Sequence, residues 1–372
     1  MRKKISKAER KKIIRKRRRR RILLLVTEVI ILAALSVVAY GIFKMGKLDI
    51  NILDDNKLEA YHDTGEYTNI ALFGLDSREG QLGSGTQSDC IMIASINNET
   101  NEVKLISVYR DTLLRQADGT YEKANSAYNT GGPEAAVSLL NRNFDLDIRN
   151  YVSVDFAALV EVIDLLGGID LDMTEEEVKY CNQYAYETAI VSGKTCEDIE
   201  IKDGVQHVDG VHAVGYARIR YTDGNDFKRT ERQREVLQIV AQKAQEANIL
   251  TLNEIVNTVF PMISTSLTIQ DMLGFAAHAL DYKIVETSGF PYKVTTDENV
   301  MNHTGSYVIP VGFTNNVIQL HQNLFAESDY QPSETVSQVN DDIIYLTGIT
   351  EDAEAMKTTF DEDISEDAAE SE

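Results

Sequence analysis

From Ile22 to Phe43 the chain reads as twenty-two almost uninterrupted apolar residues, the length that crosses a bilayer as a helix. This pattern predicts a transmembrane helix over 22–43, with Glu28, its single charge, snorkelling to the near interface. A cleavable signal peptide is the competing reading, but Ala39-Tyr40-Gly41 is a poor small-x-small site and the run is long. Residues 44–67 are polar and read as a linker. Short apolar runs then predict core strands at 69–76, 89–96 and 103–109, the last two joined as a hairpin by the turn at 97–101. Helical spacing occupies 132–143, 156–166, 226–247, 252–260, 269–280 and 316–325, with Gly167-Gly168 as a stop before a strand at 169–172. Strands alternating with helices predict one α/β domain over 68–327, helices packed on a central sheet. The acidic stretch 328–372 reads as a disordered tail.

Charge divides the chain into two compartments. Residues 1–21 hold fourteen Lys or Arg and one Glu, an excess of 13 positive charges, which leaves about −35 for residues 22–372 against the whole chain's −22. A basic tail of this kind before a membrane helix stays cytoplasmic and contacts anionic lipid, so the domain lies outside a cell membrane crossed once. Nucleic acid is excluded as a partner on the same grounds. Three cysteines, Cys90, Cys181 and Cys196, lack metal-ligand spacing. Cys181 and Cys196 share a polar extracytoplasmic stretch and are expected to pair as a disulfide, whereas Cys90 reads as a buried thiol.

An arginine cluster in so acidic a domain calls for an anion. On extended backbone Arg218 and Arg220 point to one side and Ile219 into the core. With Asp226 as N-cap, Arg229, Arg232 and Gln233 share a helix face. Cations in a first helical turn oppose the helix dipole, and a bound phosphate or pyrophosphate removes the conflict. Asp89 opens the second strand and Asp111 ends the third, so a hairpin brings them together. Adjacent carboxylates need an intervening Mg²⁺ or arginine, and Arg110 stands beside them. Asp76 and Arg78, at the end of the first strand, reach the same sheet edge. Each of these residues alone is an ordinary turn or surface group. The chain has no Gly-rich phosphate loop, no histidine metal motif and no Gly-x-Ser-x-Gly elbow.

The ordered segments Phe73-Gly74-Leu75-Asp76-Ser77-Arg78, Ser88-Asp89, Ser107-Val108-Tyr109-Arg110-Asp111-Thr112, Lys123-Ala124-Asn125-Ser126-Ala127-Tyr128, Leu165-Leu166-Gly167-Gly168-Ile169, Arg218-Ile219-Arg220 and Asp226 to Gln233 resemble the motifs of the LytR-CpsA-Psr family. The resemblance covers 68–326. It implies an αβα sandwich around a mixed, largely antiparallel sheet, and a Mg²⁺-dependent phosphotransferase. Such an enzyme moves a glycopolymer, teichoic acid or capsule-type, from a polyprenyl-pyrophosphate carrier to peptidoglycan in the Gram-positive envelope. It also implies that Asp89 and Asp111 hold Mg²⁺, and that Arg110, Arg218, Arg220, Arg229 and Gln233 contact the pyrophosphate. Asp76, Arg78, Asp226 and Arg232 match motif positions: Asp76 as a candidate proton acceptor, Arg78 and Arg232 as further pyrophosphate ligands. Tyr109 stands where the family usually has proline, and Ala124 replaces a bulkier apolar residue. A polyprenyl channel would draw on Leu139, Leu140, Val160, Ile163 and Leu166, residues that any core would also use. A non-catalytic lipid-pyrophosphate regulator and a pyrophosphatase are the alternative functions.

Overall fold

Alternation in the first core strand decides which side of the sheet meets which helices. In the computed structural model, which describes residues 46–61, 64–77, 81–221, 225–297 and 305–357, the chain opens with a short edge strand β1 (Asp49–Ile50) and continues into β2 (Tyr67–Leu75), β3 (Ser88–Asn97) and β4 (Glu102–Val108). A small hairpin, β5 (Leu113–Arg115) and β6 (Tyr121–Lys123), precedes helix α1 (Ser126–Phe144) and β7 (Asn150–Asp155). Next come α2 (Phe156–Leu165), β8 (Ile169–Met173), α3 (Glu175–Ser192), β9 (Gly204–Val208), α4 (Gly210–Ala217), α5 (Asn225–Glu246) and α6 (Ile249–Val259). The chain then runs through β10 (Ile263–Thr265), α7 (Ile269–Ala277), β11 (Lys283–Phe290), β12 (Lys293–Asp297), β13 (Tyr307–Pro310), α8 (Phe313–Phe325), α9 (Glu334–Thr347) and β14 (Met356–Lys357).

The central sheet has seven strands in the order β1-β10-β7-β2-β3-β4-β11. Its pairs β2/β3, β3/β4 and β7/β10 are antiparallel, while β2/β7, β4/β11 and β1/β10 are parallel. The sheet is therefore evenly mixed rather than largely antiparallel. The parallel pairs arise because β7 and β11 return to the sheet through crossovers, which a hairpin signal does not reveal.

On one face Phe73, Leu75, Ile91, Ile93 and Ile106 pack with Tyr128, Leu139 and Leu140 of α1, and with α8 and α9, into the largest core cluster. On the other, α2, α3, α4 and α5 bury their apolar sides with β8 and β9 in a cluster of their own.

Two expectations are corrected. The tail does not begin at 328: Val336, Val339 and Ile343 of α9 are buried in the main core, and β14 pairs with β12. The acidic composition hid an amphipathic helix whose N-cap is Ser333 and whose Gly348 ends it in the left-handed conformation. Asp145 ties this segment down by accepting from Tyr330 Oη (2.6 Å), Ser333 Oγ (2.7 Å) and Ser333 N (2.8 Å). Nor do Cys181 and Cys196 form a disulfide; all three cysteines are free. Cys181 is buried, with its thiol donating to the His212 carbonyl at 3.2 Å, and Cys196 Sγ lies 3.7 Å from His212 Nε2.

The expected membrane helix at 22–43, its basic tail and Arg78 lie outside the described residues. Among those described, no helix is long and apolar enough to cross a membrane.

Candidate functional site

The β3/β4 hairpin brings Asp89 and Asp111 together as expected, and Arg110 fills the space between them. Its guanidinium donates from Nη1 to Asp89 Oδ1 (2.7 Å) and from Nε to Asp111 Oδ2 (3.3 Å). Lys123 of β6 approaches the other Asp111 oxygen, Nζ to Oδ1, at 2.8 Å. Burial works to raise the Asp111 pKa, but Arg110 and Lys123 outweigh it and hold the carboxyl below its ordinary value. Burial likewise disfavours the Arg110 charge, and Asp89, Asp111 and Asp226 together outweigh it, raising its pKa.

Arg218 is the C-cap of α4 in helical conformation, not a strand residue, so the expected extended geometry is corrected. It and Arg220 nonetheless line one cleft, with Ile219 fully buried behind them. The turn that ends α4 achieves what a strand would have done. Arg220 Nη2 donates to Asp89 Oδ2 at 3.3 Å. Arg218 donates from Nη1 to Thr188 Oγ1 (3.0 Å) and from Nη2 to Glu187 Oε2 (3.3 Å), and its Cζ lies 4.9 Å from the Phe156 ring centre.

Helix α5 begins at Asn225, which places Asp226 inside the first turn instead of at the N-cap. There it forms an ion pair with Arg229, Nη1 to Oδ1 at 3.2 Å, and approaches Arg110 and Arg220 at 3.9 Å, so a carboxylate supplied by the same turn relieves the unfavourable cation–dipole contact. Arg229 is 3% exposed, and its Nε has no hydrogen-bond partner among the described residues. Burial, with Arg110 and Arg220 nearby, pulls its pKa down to about 10 against the pull of Asp226. A cation held in that condition is poised for a further anion. Gln233 joins the cleft wall. Arg232 does not: it turns inward to Glu177, Nη2 to Oε1 at 2.8 Å, and lies 5.5 Å over the Tyr216 ring, a structural role in place of the expected ligand role.

The resulting cleft has a volume of about 350 Å³, with Asp76, Asp89, Arg218, Arg220, Arg229 and Gln233 on its walls. Among the described residues no group of three or more His, Cys, Asp or Glu side chains is arranged to hold a metal; Arg110 sits where a cation would join Asp89 to Asp111. The sequence reading missed Lys123, Phe156, Gln183, Tyr184, Glu187 and Tyr221. Lys123 lay in a recognised motif without a role. Gln183, Tyr184 and Glu187 lie on α3, whose weak amphipathicity concealed it, although the Thr174/Glu177 capping box and the left-handed Gly193 stop were legible signals.

A second, apolar cavity of about 210 Å³ adjoins the cleft and shares Phe156, Arg218 and Gln233 with it. Leu72, Met92, Val152, Val154, Leu159 and Val236 are among its walls, between the sheet and helices α2, α4 and α5. None of the five residues expected to form a channel lines it: Leu139 and Leu140 belong to the core on the opposite sheet face, and Val160, Ile163 and Leu166 to the helical core.

Tyr109 is 3% exposed and meets Phe227 of α5 edge to face at 4.7 Å, with Val294 and Val308 beside them. This contact joins the strand end carrying Arg110 and Asp111 to the helix start carrying Asp226 and Arg229. A Cβ at Gly289 would come within 2.2 Å of Tyr109 Oη.

A sequence model of the LytR_cpsA_psr family matches residues 36–321. The chain is 30% identical over 218 residues to polyisoprenyl-teichoic acid--peptidoglycan teichoic acid transferase TagU of Enterococcus faecalis, a match spanning 58% of this chain and 65% of that protein. It is 27% identical over 276 residues to the corresponding transferase TagV of Bacillus subtilis, covering 67% of each. A solved structure of YwtF (TagT) with bound octaprenyl pyrophosphate lipid superimposes with TM-score 0.52 at 17% identity, covering 70% of this chain and 91% of that one. A Streptococcus agalactiae structure gives 0.57 at 21%, covering 76% and 93%. At these identities the structural likeness carries the fold.

Proposed function

Because the chain belongs to the LytR-CpsA-Psr family, we propose that it transfers a glycopolymer from a polyprenyl-pyrophosphate carrier to peptidoglycan, anchored in the cell membrane by the segment 22–43 with its domain outside. One observation carries this reading: a cationic cleft and an apolar cavity meet at Phe156, Arg218 and Gln233, as a pyrophosphate headgroup and its hydrocarbon tail require. The relatives' names supply the class of glycan and acceptor.

In this reading Arg110, Arg220 and Arg229 receive the pyrophosphate, exchanging their contacts with Asp89 and Asp226 for phosphate oxygens. Charge-assisted hydrogen bonds of this kind contribute about 1.5–3 kcal/mol each. A hydroxyl of the acceptor sugar attacks the phosphorus bearing the glycan, the bond to the bridging oxygen breaks, and polyprenyl phosphate departs into the arginines' field. We assign the attacking hydroxyl's proton to Asp76, an exposed carboxylate on the cleft wall.

Asp89 and Asp111 fit Mg²⁺ by donor chemistry: they are hard oxygen ligands within the span of one guanidinium, and this ion commonly takes only one or two carboxylates. When bound it would supply charge neutralisation at the phosphates. Four cations, Arg110, Lys123, Arg220 and Arg229, already surround the three carboxylates Asp89, Asp111 and Asp226, so the metal is expected to enter together with the anion.

The test is a paired assay on the full chain with Asp89→Ala, Asp111→Ala and Arg220→Ala/Arg229→Ala, measuring lipid-pyrophosphate binding and transfer to peptidoglycan fragments across Mg²⁺ concentrations. The aspartate variants are expected to lose transfer and keep much of the binding, and the arginine variant to lose binding. Full transfer by Asp111→Ala removes the metal role, and release of free glycan phosphate without coupled product makes the protein a hydrolase.

A further inference from the structure

A carboxylate, an imidazole and a thiol stand in line where α4 begins, none of them part of the cleft. Asp209 Oδ1, the N-cap of α4, accepts from the His212 backbone N at 3.0 Å and from Nδ1 of the same residue at 2.7 Å. His212 is 3% exposed, and its Nε2 has one hydrogen-bond partner among the described residues, the Cys196 thiol, with Sγ at 3.7 Å. The bond from His212 holds the Asp209 carboxyl below its ordinary value, so Asp209 is ionised and accepts only. The imidazole proton therefore sits on Nδ1, and Nε2 turns a lone pair toward the thiol hydrogen. Capping α4 requires Asp209 and a backbone N–H; it requires neither an imidazole nor a thiol beyond it.

The fold sets the three cysteines apart. Cys181 is buried, its thiol donates to the His212 carbonyl, and burial pushes its pKa up to about 12. Burial pushes the Cys90 thiol up to about 12 as well, although Arg229 and Arg234 oppose it. Cys196 is half-buried between the exposed Thr195 and Glu197, on the segment that follows α3. Asn182 of α3 pins that segment, donating from Nδ2 to the Ile199 carbonyl (3.0 Å) and accepting from Ile199 N (3.1 Å). Burial, then Asp209 and Asp198, raises the Cys196 pKa too. Little thiolate stands ready, so this thiol reacts by passing its proton to a base.

We infer that Cys196 is a modification site at which small disulfides exchange, with His212 as the base and Asp209 as the residue that orients it. As the Cys196 sulfur attacks one sulfur of the disulfide, Nε2 takes the thiol proton. The S–S bond breaks, and the departing thiolate keeps the electron pair and recovers that proton from Nε2. The product is a mixed disulfide on Cys196. In the extracytoplasmic setting proposed for the domain, such disulfides persist.

The experiment treats the full chain in detergent with dithiodipyridine, an uncharged disulfide that Glu197, Asp198 and Asp209 do not repel, and follows thiopyridone release together with peptide masses. One fast exchange at Cys196 is expected, with Cys90 and Cys181 reacting only on unfolding. His212→Gln is expected to slow it at least about tenfold and Asp209→Asn, which keeps a good N-cap residue, several-fold. The titratable groups facing the pair are Asp209, Asp198 on its own segment and Cys181 of α3. Between pH 8.5 and 7 the rate in His212→Gln is expected to fall about tenfold per unit, as a thiolate fraction does, and less steeply in the parent. No exchange at Cys196 in the folded chain, or first reaction at Cys90 or Cys181, overturns the site. So does a parent-like rate in a folded His212→Gln. Should that variant not fold, Asp209→Asn decides: a parent-like rate there, with a parent slope of about tenfold per unit, overturns the relay.

Discussion

Adjacent residues of β2 sit in opposite surroundings. Phe73 is 1% exposed, edge to face with Tyr128 at 5.0 Å, on a sheet face closed by α1, α8 and α9. Leu72, one position earlier, is only partly buried and lines the apolar cavity, which Phe73 borders from within the sheet. In β3 Ile93 and Met92 repeat the contrast. Both faces are apolar, so hydrophobicity does not separate them. The covering does: α2, α4 and α5 spend much of their apolar surface on one another and on β8 and β9, leaving part of the strand face bare. A void of this size reduces the stability of a domain that has little to spare, and its place beside the charged cleft gives it a use.

Removing residues 328–372 attacks the closed face most directly. Three buried side chains of α9 contribute about 1.5–3 kcal/mol each, a large part of a domain's stability, so the truncated chain is expected to lose its cooperative urea transition. A full-strength transition would show that α9 is dispensable. Next in size is a neighbouring pair: Phe73→Ala is expected to cost about 3–5 kcal/mol and Leu72→Ala about 1 kcal/mol, because Leu72 is only partly buried and already borders a void. Equal losses in denaturation would erase the distinction between the faces. Val154→Phe, which fills the cavity, is expected to change stability by less than about 1 kcal/mol while weakening long-chain polyprenyl pyrophosphate binding about tenfold. Unaltered lipid binding would separate the cavity from the tail.

The smallest effect concerns pH. Burial pushes the His321 imidazole below its ordinary 6.5, against the opposing pull of the Phe144 carbonyl, Glu327 and Asp145; Tyr330 stacks on it at 3.5 Å. The unfolded chain therefore binds the proton first, so stability is whole above that value and is lost as pH falls through the window beneath it. Urea midpoints at pH 7.5 and 5.5 are expected to diverge less in His321→Gln than in the parent.

Strong local pattern made much of this legible. The β2–β4 strands and the helices α2, α5 and α7 lie within a few residues of their expected positions, because runs such as Asn69 to Leu75 satisfy period and propensity together. The meeting of Asp89, Arg110 and Asp111 followed from hairpin pairing alone. Non-local structure was not legible: β7 and β11 owe their places to distant partners, and β1 and β10 are too short to carry a pattern. Arg232 shared the spacing of Arg229, and only the position of Glu177 on another helix determines that it turns away.

The contact between Tyr109 and Phe227 has a consequence for descent. The aromatic ring at position 109 fits only where position 289 lacks a side chain, since a Cβ there would come within 2.2 Å of the phenol oxygen. Substitution at one position therefore constrains the other across 180 residues of chain. Among relatives these sites should change as a linked pair, aromatic with glycine, and a lineage that takes a small residue at the first becomes free to drift at the second.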